Sequence, residues 1–404
     1  MPDRLKLRVW TPLPPQRSGV ADHNSLLLPA LAQVADVSVV VDEELAAGVR
    51  VPASVTAVPK SQLDDHTVDL SIYHMGNHHG LHRAIHDELI ANPGLVVLHD
   101  PSLLDFYGGY HEGSAGGLDD EVILNDGRPG ELPRVWAGSA WHVDRLAVHL
   151  VRRVVEPSLA VLVHSAWARD ELARQFPDTP IHHVELAAPV ADETAAGLAI
   201  RSRAGWGEEH VVFGLLGGLW QHKRPELVVK IVAALLPLRP AARLLVAGRL
   251  EDRDALARML AAVSAAGLER AVHVLTDVDD HEFTACITAC DAVVDLRWPS
   301  AGETSATMMR AFGAGRPAIV GDLPQYGSLD DRFCWRVPTN PPDAAGKALE
   351  VMLAVARDPT WARQAGALAR RFVEESASLD RVARRYEDVA RALTVGRGRV
   401  PDPR

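Results

Sequence analysis

Cysteine, lysine and long apolar runs are all scarce in this chain, and each scarcity excludes something. The three cysteines, Cys286, Cys290 and Cys334, form no C-x-x-C pair and are odd in number. They read as buried thiols of a reducing compartment rather than as a disulfide framework. Cys286 and Cys290 stand one helical turn apart, which is the spacing of a core face. Lysine occurs only five times in 404 residues, so a lysine inside a motif stands out. No apolar run approaches the roughly 20 residues that a membrane span requires. Met1 to Arg8 alternates charged and apolar residues and lacks the apolar core of a secretory signal. A cytoplasmic protein without a transmembrane segment is expected. Internal repeats and low-complexity tracts are missing too.

What is present is the composition of a globular chain, 47% apolar and 24% charged. Its length exceeds one ordinary core and suits two domains. The net charge of −11 lies in the first half: residues 1–190 hold 14 Lys and Arg against 25 Asp and Glu, while the remainder is balanced at 28 of each. An acidic half argues against nucleic acid or an anionic membrane surface as partner. Histidine is skewed the same way, with 14 of 18 before residue 190.

Apolar runs of strand length alternate with amphipathic stretches. LKLRVW, VSVVV, VDLSIYH, LVVLHD, AVLVHS and IHHVEL form a first series; VVFGLL, RLLVAG, AVHVL, DAVVDL and PAIVGD form a second. The alternation predicts an α/β protein with parallel sheets. Between the series lies a small-residue, proline-containing break from Ala187 to Gly197, so the expected domains are 1–190 and 191–404. From Asp343 to Leu393 the pattern predicts two or three amphipathic helices, which leaves open that the terminal helices pack back on the first domain. The last residues, VGRGRVPDPR, read as frayed. Gly108 to Ser139, rich in glycine and acidic residues, is long for a plain connection and reads as a lid or a disordered loop.

The densest motif is DLRWPSAGETSATMMRAFGAGRPAIV, from Asp295 to Val320. Its loop at Pro299 to Glu303 opens outside the carboxyl end of a parallel strand, where ligands bind in open α/β sheets. Gly302 lets the backbone turn, and Thr304 and Ser305 offer hydroxyl and N–H groups at a helix N-terminus of partial positive charge, fit for a diphosphate. The plainer reading is that Glu303, Thr304 and Ser305 only cap a helix. GGLWQHKRPE places Lys223 and Arg224 in a strand-to-helix loop, where two cations would neutralise a leaving diphosphate. TPLPPQRSGVADHN follows the first strand, and Gly19 would bring backbone N–H groups against a diphosphate, unless Ser18 simply caps the helix. VVLHD puts His99 and Asp100 at a strand's carboxyl edge. In YHMGNHHGLH, His78, His82 and His86 recur at a spacing that could hold zinc. The stripe lacks a second cluster of ligands, so no metal is expected. The Asp252/Asp254 and Asp277/Asp279 pairs read as acidic turns.

In this order and spacing, and over nearly the whole length, these segments resemble the retaining GT-B glycosyltransferases of glycosyltransferase family 4. The resemblance implies two facing Rossmann-like domains, an acceptor-binding first domain and a donor-binding second one, with catalysis in the cleft. It implies transfer of a sugar from a nucleotide-sugar donor, UDP- or GDP-linked, without metal or cofactor, to a hydroxyl of a glycan, lipid-linked or small-molecule acceptor. It assigns catalytic-pocket roles to His99, Lys223 and Glu303, donor contacts to Gly19, Arg224, Gly302, Thr304 and Ser305, and acceptor or sugar contacts to Asn77, His78 and Asp100. The loop from Thr276 to Asp280 would lie near the nucleobase. Two departures stand out. The family's two glutamates, the second five residues before a Gly-x-Pro turn, fall here on Gly302 and Arg310, with Glu303 one place late. Its arginine five residues before the lysine is Gly218 here, leaving Arg224 or Arg297 to supply the second cation. A GT-B nucleotide-sugar epimerase and a non-catalytic sugar-nucleotide-binding protein remain open; a pyridoxal-phosphate phosphorylase is disfavoured, because Lys223 is the only motif lysine.

Overall fold

The computed structural model describes residues 4–42, 48–63, 68–114, 116–127, 145–146, 148–340 and 343–395. Two compact units result. One comprises Met1–Ala187, Ala301–Thr304 and Leu379–Arg404; the other comprises Ala188–Ser300 and Ser305–Ser378. Of the segment expected as a lid or disordered loop, residues 108–127 carry the end of a helix, Leu104–Tyr110, and a second helix, Gly117–Leu124. Residues 128–139, and the tail expected to fray beyond 395, lie outside the described residues.

The first unit is built on seven strands: β1 (Lys6–Trp10), β2 (Asp36–Val41), β3 (Thr56–Pro59), β4 (Leu70–Met75), β5 (Leu95–Leu98), β6 (Ala160–Val163) and β7 (Ile181–His183). Their order is β3-β2-β1-β4-β5-β6-β7, and every pair is parallel. Central strands read as unbroken apolar runs because both faces are covered. On one face Leu7, Val9, Ile72 and Leu162 pack with Leu27 and Leu31 of the Gly19–Val34 helix. Val382, Ala383, Tyr386 and Ala390 of the terminal helix, Leu379–Val395, complete that face. On the other face Tyr73, Met75, Val96 and Val161 pack with Ile85, Leu89, Phe106 and Tyr107.

The second unit has six parallel strands: β8 (Val211–Leu216), β9 (Ala242–Gly248), β10 (Val272–Thr276), β11 (Ala292–Asp295), β12 (Ala318–Gly321) and β13 (Cys334–Val337), in the order β10-β9-β8-β11-β12-β13. All three cysteines are buried free thiols, and Cys286 and Cys290 sit in a core with Val212, Leu245 and Val293. In both sheets the chain order reverses once, between β1 and β4 and between β8 and β11. Such a switch point leaves a crevice outside the carboxyl ends of the strands. No described helix is long and apolar enough to cross a membrane.

Candidate functional site

In the second unit, the loops after β8 and β11 flank the switch point. The β8 loop turns at Gly217, φ +93, where a Cβ would lie 2.5 Å from Thr307 Oγ1 and 2.6 Å from Lys223 Nζ. Only glycine admits both groups there. Lys223 is 6% exposed and its ammonium donates to the Leu216 carbonyl. Arg224 takes the left-handed conformation, φ 57 and ψ 50, which is strained for a residue with a Cβ. This turn lets Pro225 begin the Pro225–Leu235 helix at its preferred first position. The Arg224 guanidinium, half-buried, donates to the Thr339 carbonyl at 2.6 Å. The backbone N–H of Trp298 donates to the His222 carbonyl at 2.7 Å and ties the two loops together.

Beneath them lies a buried ionic cluster. Asp295, at the end of β11, accepts from Arg297 Nη2 at 2.8 Å and from the Ser305 hydroxyl at 2.7 Å. Burial alone would raise the Asp295 pKa, but Arg297 and then Lys223 outweigh it and hold the carboxylate well below its ordinary range. Arg297 is thus committed to Asp295, and Lys223 is the cation set beside Gly217 and Thr307. Ser305 also caps the Ala306–Gly313 helix, accepting from Met308 N–H at 3.3 Å. Its hydroxyl is therefore engaged on several sides, and what this helix start offers an anion is its backbone N–H groups and dipole. Ser305→Ala removes the cap and one partner of buried Asp295; a loss of about 1–2 kcal/mol is expected in chemical unfolding.

Residues 301–304 belong to the first unit. Gly302 has φ +87, and a Cβ there would come within 2.7 Å of the Trp167 ring and 3.3 Å of Pro101, so the loop requires glycine. The Thr304 hydroxyl donates to the His164 carbonyl at 3.1 Å, and Glu303 Oε2 accepts from Ala301 N–H at 2.8 Å. Glu303 acts electrostatically on Asp105, whose pKa is raised chiefly by burial and further by Glu303.

The first unit's own edge carries a histidine cluster. His74 ends β4, His99 follows β5, His164 follows β6, and His23 comes from the second turn of the Gly19–Val34 helix. His74 Nδ1 and His99 Nε2 are 2.9 Å apart, within hydrogen-bond distance, and Asn24 Nδ2 lies 3.2 Å from His74 Nδ1. Tyr386 of the terminal helix stacks on His74 with ring centres 6.2 Å apart. Burial pushes His164 and His82 down to about 4 and His23 down to about 3, and holds His74 and His99 well below their ordinary value. At neutral pH these imidazoles are uncharged. Gly19 heads its helix behind the Ser18 cap, and nothing lies within 4 Å of a Cβ placed there.

The remaining expected residues take structural bonds. Asn77 donates its side-chain amide to Asp105 at 2.9 Å and accepts from Phe106 N–H at 2.9 Å, while its backbone N–H goes to Asp100 Oδ2 at 2.8 Å. His78 is the exposed N-cap of the His79–Ala91 helix, so the histidine stripe begins one residue outside it. His82 bonds the His78 carbonyl and His86 lies 3.1 Å from the Tyr107 hydroxyl. Among the described residues no group of His, Cys, Asp and Glu is arranged to hold a metal ion. Arg310 bonds Asp280 at 2.7 Å and Thr284 at 2.8 Å, joining two helices. Gly218 stands beside Glu251, which pairs with Arg249 at 3.1 Å. Asp295, Thr307, His23 and His164 were not singled out from the sequence. The Asp-x-Arg spacing at a strand end was a usable signal for Asp295; the two histidines had none, since only the sheet order brings them together.

Neither a protein-family model nor a curated protein sequence matches the chain. Solved structures do. A sucrose-phosphate synthase from Thermosynechococcus elongatus aligns with TM-score 0.65 at 16% identity, covering 97% of this chain and 100% of its own. HepE of Anabaena in complex with UDP-glucose aligns with TM-score 0.66 at 12% identity, covering 96% and 100%. WaaG, a glycosyltransferase involved in lipopolysaccharide biosynthesis, gives 0.60 at 12%, covering 95% and 99%. At such identities the likeness is one of fold, and it agrees with the two parallel sheets: the chain has the Rossmann-like architecture of the GT-B glycosyltransferases.

Proposed function

We propose that this chain is a retaining glycosyltransferase that moves a hexosyl group from a UDP- or GDP-linked sugar to a hydroxyl of a glycan, lipid-linked or small-molecule acceptor, in the cytoplasm and without metal or cofactor. The observation that carries the reading is Lys223, a buried cation at the switch point of the second sheet, beside the start of the Ala306–Gly313 helix. Breaking the bond between the anomeric carbon and the diphosphate oxygen leaves negative charge on the diphosphate, and a fixed ammonium with helix N–H groups stabilises charge where it grows. Retention needs no side-chain nucleophile: a donor phosphate oxygen takes the acceptor's proton as the new carbon–oxygen bond forms on the face the diphosphate leaves. The neutral His99 would orient hydroxyl groups, and Glu303 would accept from them.

That HepE was solved with UDP-glucose makes a uridine donor the first to test. The second reading, a non-catalytic binding protein, is favoured by Arg310, which occupies a carboxylate's expected place and is held by Asp280 and Thr284. The experiment is incubation with UDP-, GDP-, ADP- and dTDP-sugars, with and without an acceptor panel, followed by NMR of the products. Acceptor-dependent release of nucleoside diphosphate and a product of unchanged anomeric configuration are expected. Binding without turnover would establish the second reading, and an epimerised donor formed without acceptor would make the chain an isomerase.

A further inference from the structure

We propose that a cavity in the first unit, beyond the carboxyl ends of β1 and β2 and beside the His79–Ala91 helix, binds a small uncharged group that is apolar except for one hydrogen-bond acceptor. Its walls include Pro12 and Leu13 after β1, Val40 near the end of β2, and Leu81, Ala84 and Ile85 of the helix. Trp10, the last residue of β1, lines it too. The Trp10 ring is 3% exposed and stacks on Tyr73 with ring centres 6.1 Å apart, so its orientation is fixed. Its Nε1 is buried with no hydrogen-bond partner among the described residues. A buried tryptophan ordinarily finds a partner for this hydrogen. The cavity is separate from the histidine cluster: β2 flanks β1 on one side, while β4, which holds His74, and β5, which precedes His99, lie on the other.

What the cavity accepts follows from its polar groups. An indole N–H only donates, so the ligand must set an oxygen or another acceptor against it. Other polar groups of the wall are engaged. The Thr11 hydroxyl donates to the Pro12 carbonyl at 3.1 Å and accepts from the Asn24 amide at 2.9 Å. Gln16 Oε1 accepts from Leu13 N–H at 2.9 Å, and Asp42 pairs with Lys60 at 3.7 Å. An anion would meet the Asp42 carboxylate, and a polyol would leave hydroxyls unpaired against Pro12, Leu13 and Ile85. The cavity measures about 40 Å³, whereas one water needs roughly 10–15 Å³ and wants two to four polar partners. A lone bridging water therefore leaves most of the space empty. A short alkyl group or ring edge bearing a carbonyl, ether or hydroxyl oxygen fills it and answers the indole. The chemistry is the same whether this group ends a larger substrate or is a molecule of its own, and it does not rest on the transferase reading.

The test is proton–nitrogen NMR of the tryptophan indoles of the full chain, titrated with cyclohexanone and isobutanol at millimolar concentration beside glycerol and acetate. Trp10→Phe assigns the Trp10 signal, since it keeps a ring to pack on Tyr73 and lacks only the N–H donor. Ala84→Leu fills the cavity from the helix. Cyclohexanone or isobutanol should move the Trp10 indole signal to lower field in the unaltered chain, and the shift should vanish in Ala84→Leu. Affinity, read from the ligand's own signals, should fall about fivefold in Trp10→Phe, the value of one hydrogen bond. A nuclear Overhauser contact between the ligand and the Trp10 indole in the unaltered chain decides the matter even if a variant misfolds. Hexyl glucoside beside hexanol tells the two sources apart. Tighter binding of the glucoside marks the apolar end of a sugar-bearing substrate, tighter binding of hexanol marks a free molecule, and both support the site. No shift with either probe would mean that water alone answers the indole and would overturn the proposal. An unchanged shift in Ala84→Leu, or an equal response to glycerol or acetate, would overturn it as well.

Discussion

Lys223→Met should lower kcat/KM by roughly 10²–10³-fold, the range seen when one fixed electrostatic donor is removed from a site of developing charge. Methionine keeps much of the apolar stem and its packing, so the change is mainly the loss of a positive charge. That charge is placed rather than free: the ammonium is buried, anchored to the Leu216 carbonyl and set beside Gly217 and Thr307. The fold should tolerate the loss, because Asp295 keeps Arg297 and Ser305. Lys223→Arg should not restore activity. A planar guanidinium is larger than an ammonium, and the space is bounded by Thr307 and the Gly217 backbone. Arg224→Met should cost less, about tenfold, since that guanidinium is half-buried and already bonded to the Thr339 carbonyl. Steady-state kinetics on all three, with melting temperatures as the control for folding, check the ranking. Full activity in Lys223→Met at an unchanged melting temperature would remove the cation from the mechanism.

Central strands and helix starts were legible in the sequence because they rest on local rules. Apolar runs such as VVFGLL predicted strands buried on both faces, and Ser18 and Ser305 predicted caps. The two strands that went unread, β3 (TAVP) and β13 (CWRV), are four-residue edge strands, each carrying a proline or an arginine in place of an apolar run. Site chemistry was less legible for a different reason. Lys223 stood out by rarity, but the partner of a side chain is a three-dimensional fact. Nothing in the string says that Arg297 spends its guanidinium on Asp295, or that Asn77 spends its amide on Asp105 and Phe106. The histidine cluster makes the point most clearly. The helical stripe of His78, His82 and His86 is the visible histidine pattern, and it was set aside as a metal site for want of further ligands, whereas four histidines spread from position 23 to position 164 meet at the sheet edge because β1, β4, β5 and β6 lie side by side.

That cluster should make the first unit acid-labile well above the pH at which carboxylates titrate. Burial lowers His82 and His164 from 6.5 to about 4 and His23 to about 3, and it lowers His74 and His99 as well. Below pH 6.5 the unfolded chain takes up protons that the folded chain refuses, so stability is fully present above that pH and drains away as pH falls toward 4. A shift of that size corresponds to roughly 3 kcal/mol each for His82 and His164. Contributions from neighbouring rings are coupled rather than additive, yet a few of them rival the roughly 5–15 kcal/mol that holds an ordinary domain together. The slope of unfolding free energy against pH between 6 and 4.5 should approach about 1.4 kcal/mol per pH unit for each histidine that protonates on unfolding, and should total several protons. Asp295 adds nothing in this window, because a carboxylate held below its ordinary value loses its contribution only below about pH 4. The second unit, whose shifted His273 is partly exposed, should outlast the first. Proteolysis at pH 5 should therefore cut within residues 1–187 before residues 188–300. His82→Gln should remove close to one proton from the slope, since an uncharged amide replaces a ring that must protonate on unfolding. A flat profile from pH 7 to pH 5 would show that the histidines are wet and ordinary, and the neutral cluster at the sheet edge would have to be given up with it.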